Sequence, residues 1–69
     1  MAEDRFEIQG EVVKQERNGF WITHSDGETA FCYISGRLRK FNITIVVGDS
    51  VLIELSSYDW SKGRITKRL

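Results

Sequence analysis

With no proline, one cysteine and one histidine in 69 residues, this chain has few routes to chemistry. A single cysteine excludes an internal disulfide, and a lone thiol fits a reducing compartment, most simply a cytoplasm. His24 and Cys32 are the only soft metal ligands, too few for a four-ligand structural zinc site. As a nucleophilic pair they would also need an orienting group, an oxyanion hole and a cleft, and a chain this short offers no deep cleft. His24 is therefore read as a surface residue at a strand end and Cys32 as a small core filler. Gly10, Gly19, Gly27, Gly36, Gly48 and Gly63 stand singly, so none belongs to a phosphate-cradling loop. The acids Glu3, Asp4, Asp26 and Glu28 fall in a tail and a turn, where solvation suffices for them. No enzyme, cofactor or metal is expected. No stretch approaches the roughly 18 apolar residues of a membrane span. The opening MAEDRFEIQGE is acidic without an apolar run and is not expected to be a signal or transit peptide.

Net charge is also absent, but the charges are sorted by position. From Met1 to Ile34 there are three basic and seven acidic residues, and from Ser35 to Leu69 seven and three. A polyanion responds to the local field and not to the sum, so a neutral total does not exclude a nucleic-acid partner. The competing expectation is that folding intermixes the halves.

What is present reads as β structure. Phe6, Ile8, Gly10 and Val12 alternate with Glu7, Gln9 and Glu11, giving a strand with one wet face. Val13 breaks the alternation, which predicts a bulge. Glu16–Gly19 reads as an Asn-Gly turn, after which Phe20 and Ile22 oppose Trp21 and Thr23. Ser25–Glu28 carries an Asp-Gly hairpin signal, and Thr29–Ile34 completes the hairpin. Ser35 is placed to cap a short helix whose single turn sets Leu38 and Phe41 on the core. Ile43–Val47 is extended and apolar, Gly48-Asp49 a turn and Val51–Leu55 a fourth strand. Ser56–Gly63 reads as a polar loop and Gly63–Arg68 as the last strand. Five strands with a helix after the third is the layout of an all-β, five-stranded OB-fold barrel with Greek-key order, an SH3-like barrel being the runner-up. One domain over residues 1–69 is expected, with 1–5 a flexible tail.

The candidate site is basic and aromatic. Arg37, Arg39 and Lys40 share the short helix, and Lys62, Arg64, Lys67 and Arg68 surround the last strand. Arginine grips phosphate bidentately and lysine acts as a mobile point charge, so two such segments suit a groove that tracks a nucleic-acid backbone. Trp21 is out of phase with Phe20 and Ile22 and is a stacking candidate, although core burial is the commoner fate of such a ring. Trp60 is placed to cap an open barrel end. Phe6, Phe20, Phe31 and Phe41 are assigned to packing.

Two runs, YISGRLRK at 33–40 and SSYDWSKGRI at 56–65, together with QGEVV at 9–13 and VGDSVLIEL at 47–55, resemble bacterial-type translation initiation factor one, plastid versions included. The resemblance covers nearly the whole chain in order. It implies an OB-fold monomer, without catalysis, that binds the small ribosomal subunit at the decoding A site. Partners would be ribosomal RNA, a decoding-centre protein and the other initiation factors, in a cytoplasm or plastid stroma, with no membrane. Carried over by position, Arg37, Arg39 and Lys40 match cations around the Ile-Ser-Gly turn, Lys62 and Arg64 match a Lys-Gly-Arg run, and Lys67 and Arg68 fall in a basic tail. The chain departs from the family at several points. Thr44 stands where an arginine contact is usual. Tyr33 replaces a usual histidine and would stack. Trp60 replaces leucine, Ser57 replaces proline, and the stretch Glu16–Gly27 is about one residue short. Two other readings are weighed: a general single-stranded RNA binder or RNA chaperone of cold-shock type, using a row of exposed aromatics, and a protein-interaction adaptor using the acidic half.

Overall fold

Apolar side chains at every second position define strand β1, Arg5–Glu16, with Phe6, Ile8 and Val12 turned inward. The computed structural model describes residues 5–24, 27–41 and 43–69, with the side chain of Arg37 outside that description. Met1–Asp4 of the expected tail and Ser25-Asp26 of the expected hairpin turn also lie outside the described residues. Arg5, expected in the tail, instead opens β1 opposite Ser56.

The remaining elements are β2 (Gly19–His24), β3 (Thr29–Ile34), helix α1 (Gly36–Lys40), β4 (Ser50–Ser56) and β5 (Asp59–Arg68). They close in the order β1-β2-β3-β5-β4 and back to β1, with β3 and β5 parallel and all other pairs antiparallel. This is the expected OB-fold barrel with its helix in the β3–β4 crossover, and the closed order excludes the SH3-like alternative. β1 closes the barrel by serving two partners. Its first half pairs with β4, its second half with β2, and both ladders include Gly10 and Glu11. Glycine is required at the crossing, since a Cβ on Gly10 would lie 2.5 Å from Ile22 Cγ2 and 2.9 Å from the Thr23 carbonyl oxygen. The bulge expected at Val13 is present, between the pairs Val12–Ile22 and Lys14–Trp21.

Ile22, Ile53, Leu55, Ile65, Val12, Val51 and Cys32 are fully enclosed. Burying an Ile or Leu side chain stabilises by about 1.5–3 kcal/mol, and this interior is what holds a disulfide-free barrel together. Burial also raises the Cys32 thiol to about 12, as its core-filling role requires. A thiol reagent at neutral pH should therefore label Cys32 immediately in denaturant and only slowly in the native barrel. Rapid labelling of the native chain in a timed assay would contradict this burial.

Several expectations change at the element ends. Ser35 Oγ accepts the Leu38 N–H at 3.4 Å and caps α1 as expected. Leu38 is buried, but Phe41 is 65% exposed. The helix ends at Lys40, so Phe41 no longer follows its periodicity, and Ile43 and Ile45 pack on the core instead. The segment expected to be extended joins no ladder: residues 43–46 are irregular and Val47 belongs to the turn with Gly48. Gly19 starts β2 without positive φ; it is needed because a Cβ there would lie 2.6 Å from the Cys32 carbonyl oxygen. His24, expected at the surface, is only 2% exposed. It keeps the inward phase of Phe20 and Ile22, and the Trp60 ring lies 6.3 Å away edge-on. Trp60 also meets Phe6 at 5.1 Å, so it covers the barrel interior there, as expected of a cap. The polar loop expected at 56–63 is a tight turn at Ser57-Tyr58 followed by β5 from Asp59. Residues 59–62 are all exposed, so no hydrophobic alternation marks them as a strand.

Candidate nucleic-acid interface

Barrel register, more than position in the chain, decides which candidate residues meet. On the outward side, Trp21 lies opposite Phe31 and Phe31 opposite Lys62. In the next row, Tyr33 lies opposite Arg64 and Arg64 opposite Glu54. Directly opposed side chains are cross-strand neighbours, so each row runs from aromatic to cation within contact range. Trp21 and Phe31 pack at 5.1 Å between ring centroids, tilted by 60°. The Trp21 Nε1–H donates to the Glu16 carboxylate at 3.1 Å. Both rings are half-buried, whereas Tyr33 is 52% exposed and available for stacking.

Arg5, Tyr33, Glu54, Lys62 and Arg64 line one open depression on this side. Its floor is an ion-pair bridge. The Arg64 guanidinium donates to Glu54, which also accepts from Arg5 Nη1 at 3.1 Å. The hydrogen bond from Arg64, assisted by that from Arg5, holds the Glu54 carboxyl below the ordinary glutamate value of 4.5. Two guanidiniums, one ammonium and one carboxylate leave the depression cationic.

The other cations stand elsewhere. Arg39 lines a separate depression with Gly19, Phe20 and Ile34, and Lys40 is exposed at the end of α1. Lys67 is exposed opposite Leu52. Arg68 donates to the Thr44 carbonyl oxygen at 2.9 Å and so braces the 43–47 segment. From Lys62 to Lys67, β5 advances about 16 Å, so its two basic ends serve different parts of the surface. The structure thus brings Tyr33, Lys62 and Arg64 together, sets Trp21 beside them through Phe31, and keeps Arg39, Lys40, Lys67 and Arg68 outside that depression.

Phe31, assigned to packing, belongs to this surface, and so do Arg5 and Glu54, which the sequence reading missed. Ala30 and Cys32 take the inward places of β3, which turns Phe31 outward. The same phase rule, applied to Val51, Ile53 and Leu55, turns Glu54 outward. Charge sorting also survives folding in part. Among the described residues, the ion pairs Arg5–Glu54, Lys14–Glu16 and Arg64–Glu54 each include a minority charge of its own half of the chain, Arg5, Lys14 or Glu54.

Comparison with known proteins agrees with the barrel fold. The sequence pattern of the translation initiation factor 1A / IF-1 family matches residues 2–69. The solution structure of translation initiation factor one from the Wolbachia endosymbiont of Brugia malayi is 37% identical, with 94% of this chain and 78% of that one covered at a TM-score of 0.76. YjeQ from Thermotoga maritima is 29% identical, with 93% of this chain and 23% of that one covered at a TM-score of 0.77. YloQ, a circularly permuted GTPase, is 21% identical, with 93% of this chain and 23% of that one covered at a TM-score of 0.78, and so shares the fold.

Proposed function

This chain belongs to the translation initiation factor 1A / IF-1 family, and on that premise we propose that it binds the small ribosomal subunit at the decoding A site and helps the other initiation factors place initiator tRNA. The observation that carries the reading is the depression joining Tyr33, Lys62 and Arg64 on the outer wall of a family barrel. Lys62 and Arg64 supply phosphate contacts and Tyr33 a stacking face, while the shape of the ribosomal RNA sets the register. A decoding-centre protein completes the binding surface, and Arg39 and Lys40 extend the cationic border. The domain spans residues 1–69, acts as a monomer without catalysing a reaction, and works in a cytoplasm or plastid stroma.

Chemical footprinting of small subunits tests this. Protection confined to the decoding-site helix is expected, and scattered or absent protection would refute the reading. A second reading, a general single-stranded RNA binder, draws support from Trp21, Phe31 and Tyr33 all facing outward on adjacent strands. It predicts equal affinity for unstructured oligonucleotides and for subunits, whereas the ribosomal reading predicts a clear preference for subunits.

A further inference from the structure

We propose that Glu54 is a specificity-determining residue of the RNA-binding face: its carboxylate occupies the position on Arg64 that an RNA phosphate takes, so that RNA binds there by displacing it. This inference rests on the RNA-binding reading above and adds a residue that the cation inventory omits.

A carboxylate and a phosphate present the same paired acceptors to a guanidinium fork, so they compete for one arginine. Glu54 is on β4, directly opposite Arg64 on β5, and lines the same depression as Tyr33 and Lys62. Its side chain is 22% exposed, within reach of an incoming ligand. The Arg64 Nε is buried without a hydrogen-bond partner among the described residues, so the pair with Glu54 leaves this guanidinium incompletely satisfied.

Arg5 makes displacement feasible. Once a phosphate takes Arg64, the Glu54 carboxylate keeps its bond from Arg5, so no charge is stranded. An isolated phosphate must compete with a tethered carboxylate held beside Arg64 at high effective concentration. An RNA that also stacks on Tyr33 and meets Lys62 has further contacts to offset that competition. Glu54 therefore penalises weakly held single strands more than a shaped RNA surface, which is discrimination by an opposing contact.

The test compares wild type with Glu54→Gln, an isosteric neutral replacement. The probes are an oligouridine of about ten nucleotides, which fits the usual site size, and small subunits. Glu54→Gln should bind oligouridine about two- to fivefold more tightly, the range expected for removal of a partly exposed ion pair. Subunit affinity should rise less, lowering the preference for subunits. Unchanged or weaker oligouridine binding overturns the proposal.

In an Arg64→Ala background the gain from Glu54→Gln should shrink to near nothing. A gain of the same size there would mean plain repulsion of RNA by Glu54, and would also overturn it. A measurement on the unaltered chain covers the case of a variant that does not fold. By carbon NMR, the Glu54 carboxyl should titrate below the ordinary glutamate range in the free chain and move upward when oligouridine saturates it; an unmoved titration overturns the proposal. The oligonucleotide arms involve no ribosome, so they can fail or succeed independently of the footprint that tests the ribosomal reading.

Discussion

Replacing Ile53 with alanine should cost about 2–5 kcal/mol, the range for truncating a fully buried isoleucine. For a domain of this size total stability is only about 3–10 kcal/mol, so the loss would be a large share of the whole. The corresponding fall in melting temperature is about 10–30 °C. Ile53 has this weight because it lies at the middle of β4, opposite Ile8 on β1 and Ile65 on β5, with no exposed surface. Its side chain therefore joins β1, early in the chain, to the β4–β5 hairpin late in it. The cavity left by truncation has backbone on several sides and cannot collapse without breaking barrel register. Val47→Ala is the control, because Val47 is apolar but exposed in the crossover and should change stability by less than about 0.5 kcal/mol. Thermal melts followed by far-ultraviolet circular dichroism compare the two. A melting temperature for Ile53→Ala within a few degrees of wild type would mean that the barrel interior is not the main source of stability.

The central barrel is legible in the sequence because its inward phase is written in apolar residues. Phe20 and Ile22, then Val51, Ile53 and Leu55, alternate with outward residues and require no tertiary knowledge to place. Val13 announces its bulge by breaking that alternation. Legibility fails where a strand outruns the core. Asp59 and Lys62 pair on the barrel wall, but residues 59–62 all stay exposed, so no hydrophobic period marks them as strand. Instead Asp59 accepts the Ser61 N–H at 3.0 Å, a local contact typical of loops. Phe41 fails for the opposite reason. It has the hydrophobicity of a core residue, but the five-residue helix ends before reaching it. His24 shows phase prevailing over residue type: its position in β2 turns it inward, and Trp60, remote in sequence, covers it.

The site divides along the same line. Cationic residue types are visible in the sequence, but their grouping depends on register. Arg39 and Arg64 suggest one groove when read along the chain; in the barrel they line separate depressions with no residue in common. Arg68 and Lys67 are adjacent cations in sequence, yet Arg68 donates to the Thr44 carbonyl while Lys67 stands exposed opposite Leu52. Glu54 is hidden among basic neighbours because composition treats an acid there as a subtraction from the field. In the folded chain it is the group on which two arginines converge.

The Lys62→Ala/Arg64→Ala double variant should bind small subunits at least about tenfold more weakly at moderate salt. Each charge-assisted phosphate contact contributes about 1.5–3 kcal/mol, and about 1.4 kcal/mol is already tenfold. In wild type, Arg5, Lys62, Arg64 and Glu54 together give the depression a surplus of positive charge. Removing Lys62 and Arg64 leaves Arg5 paired with Glu54, so the surplus disappears while the carboxylate keeps a partner. That remaining pair is why the variant should still fold: a partly exposed salt bridge is worth at most about 1 kcal/mol, less than the loss predicted for Ile53→Ala. The salt dependence should fall with the charge, the log–log slope becoming shallower by about 1.4 for two phosphate contacts on a single strand. Arg39→Ala, in a separate depression, should reduce the slope by about half as much, as for one phosphate contact. Equilibrium binding to subunits over a salt series, with a melt of each variant, reads affinity, slope and folding together. A folded double variant that matches wild type in both affinity and slope would move the RNA contacts off this wall of the barrel, because no charge surplus would remain there to hold a phosphate.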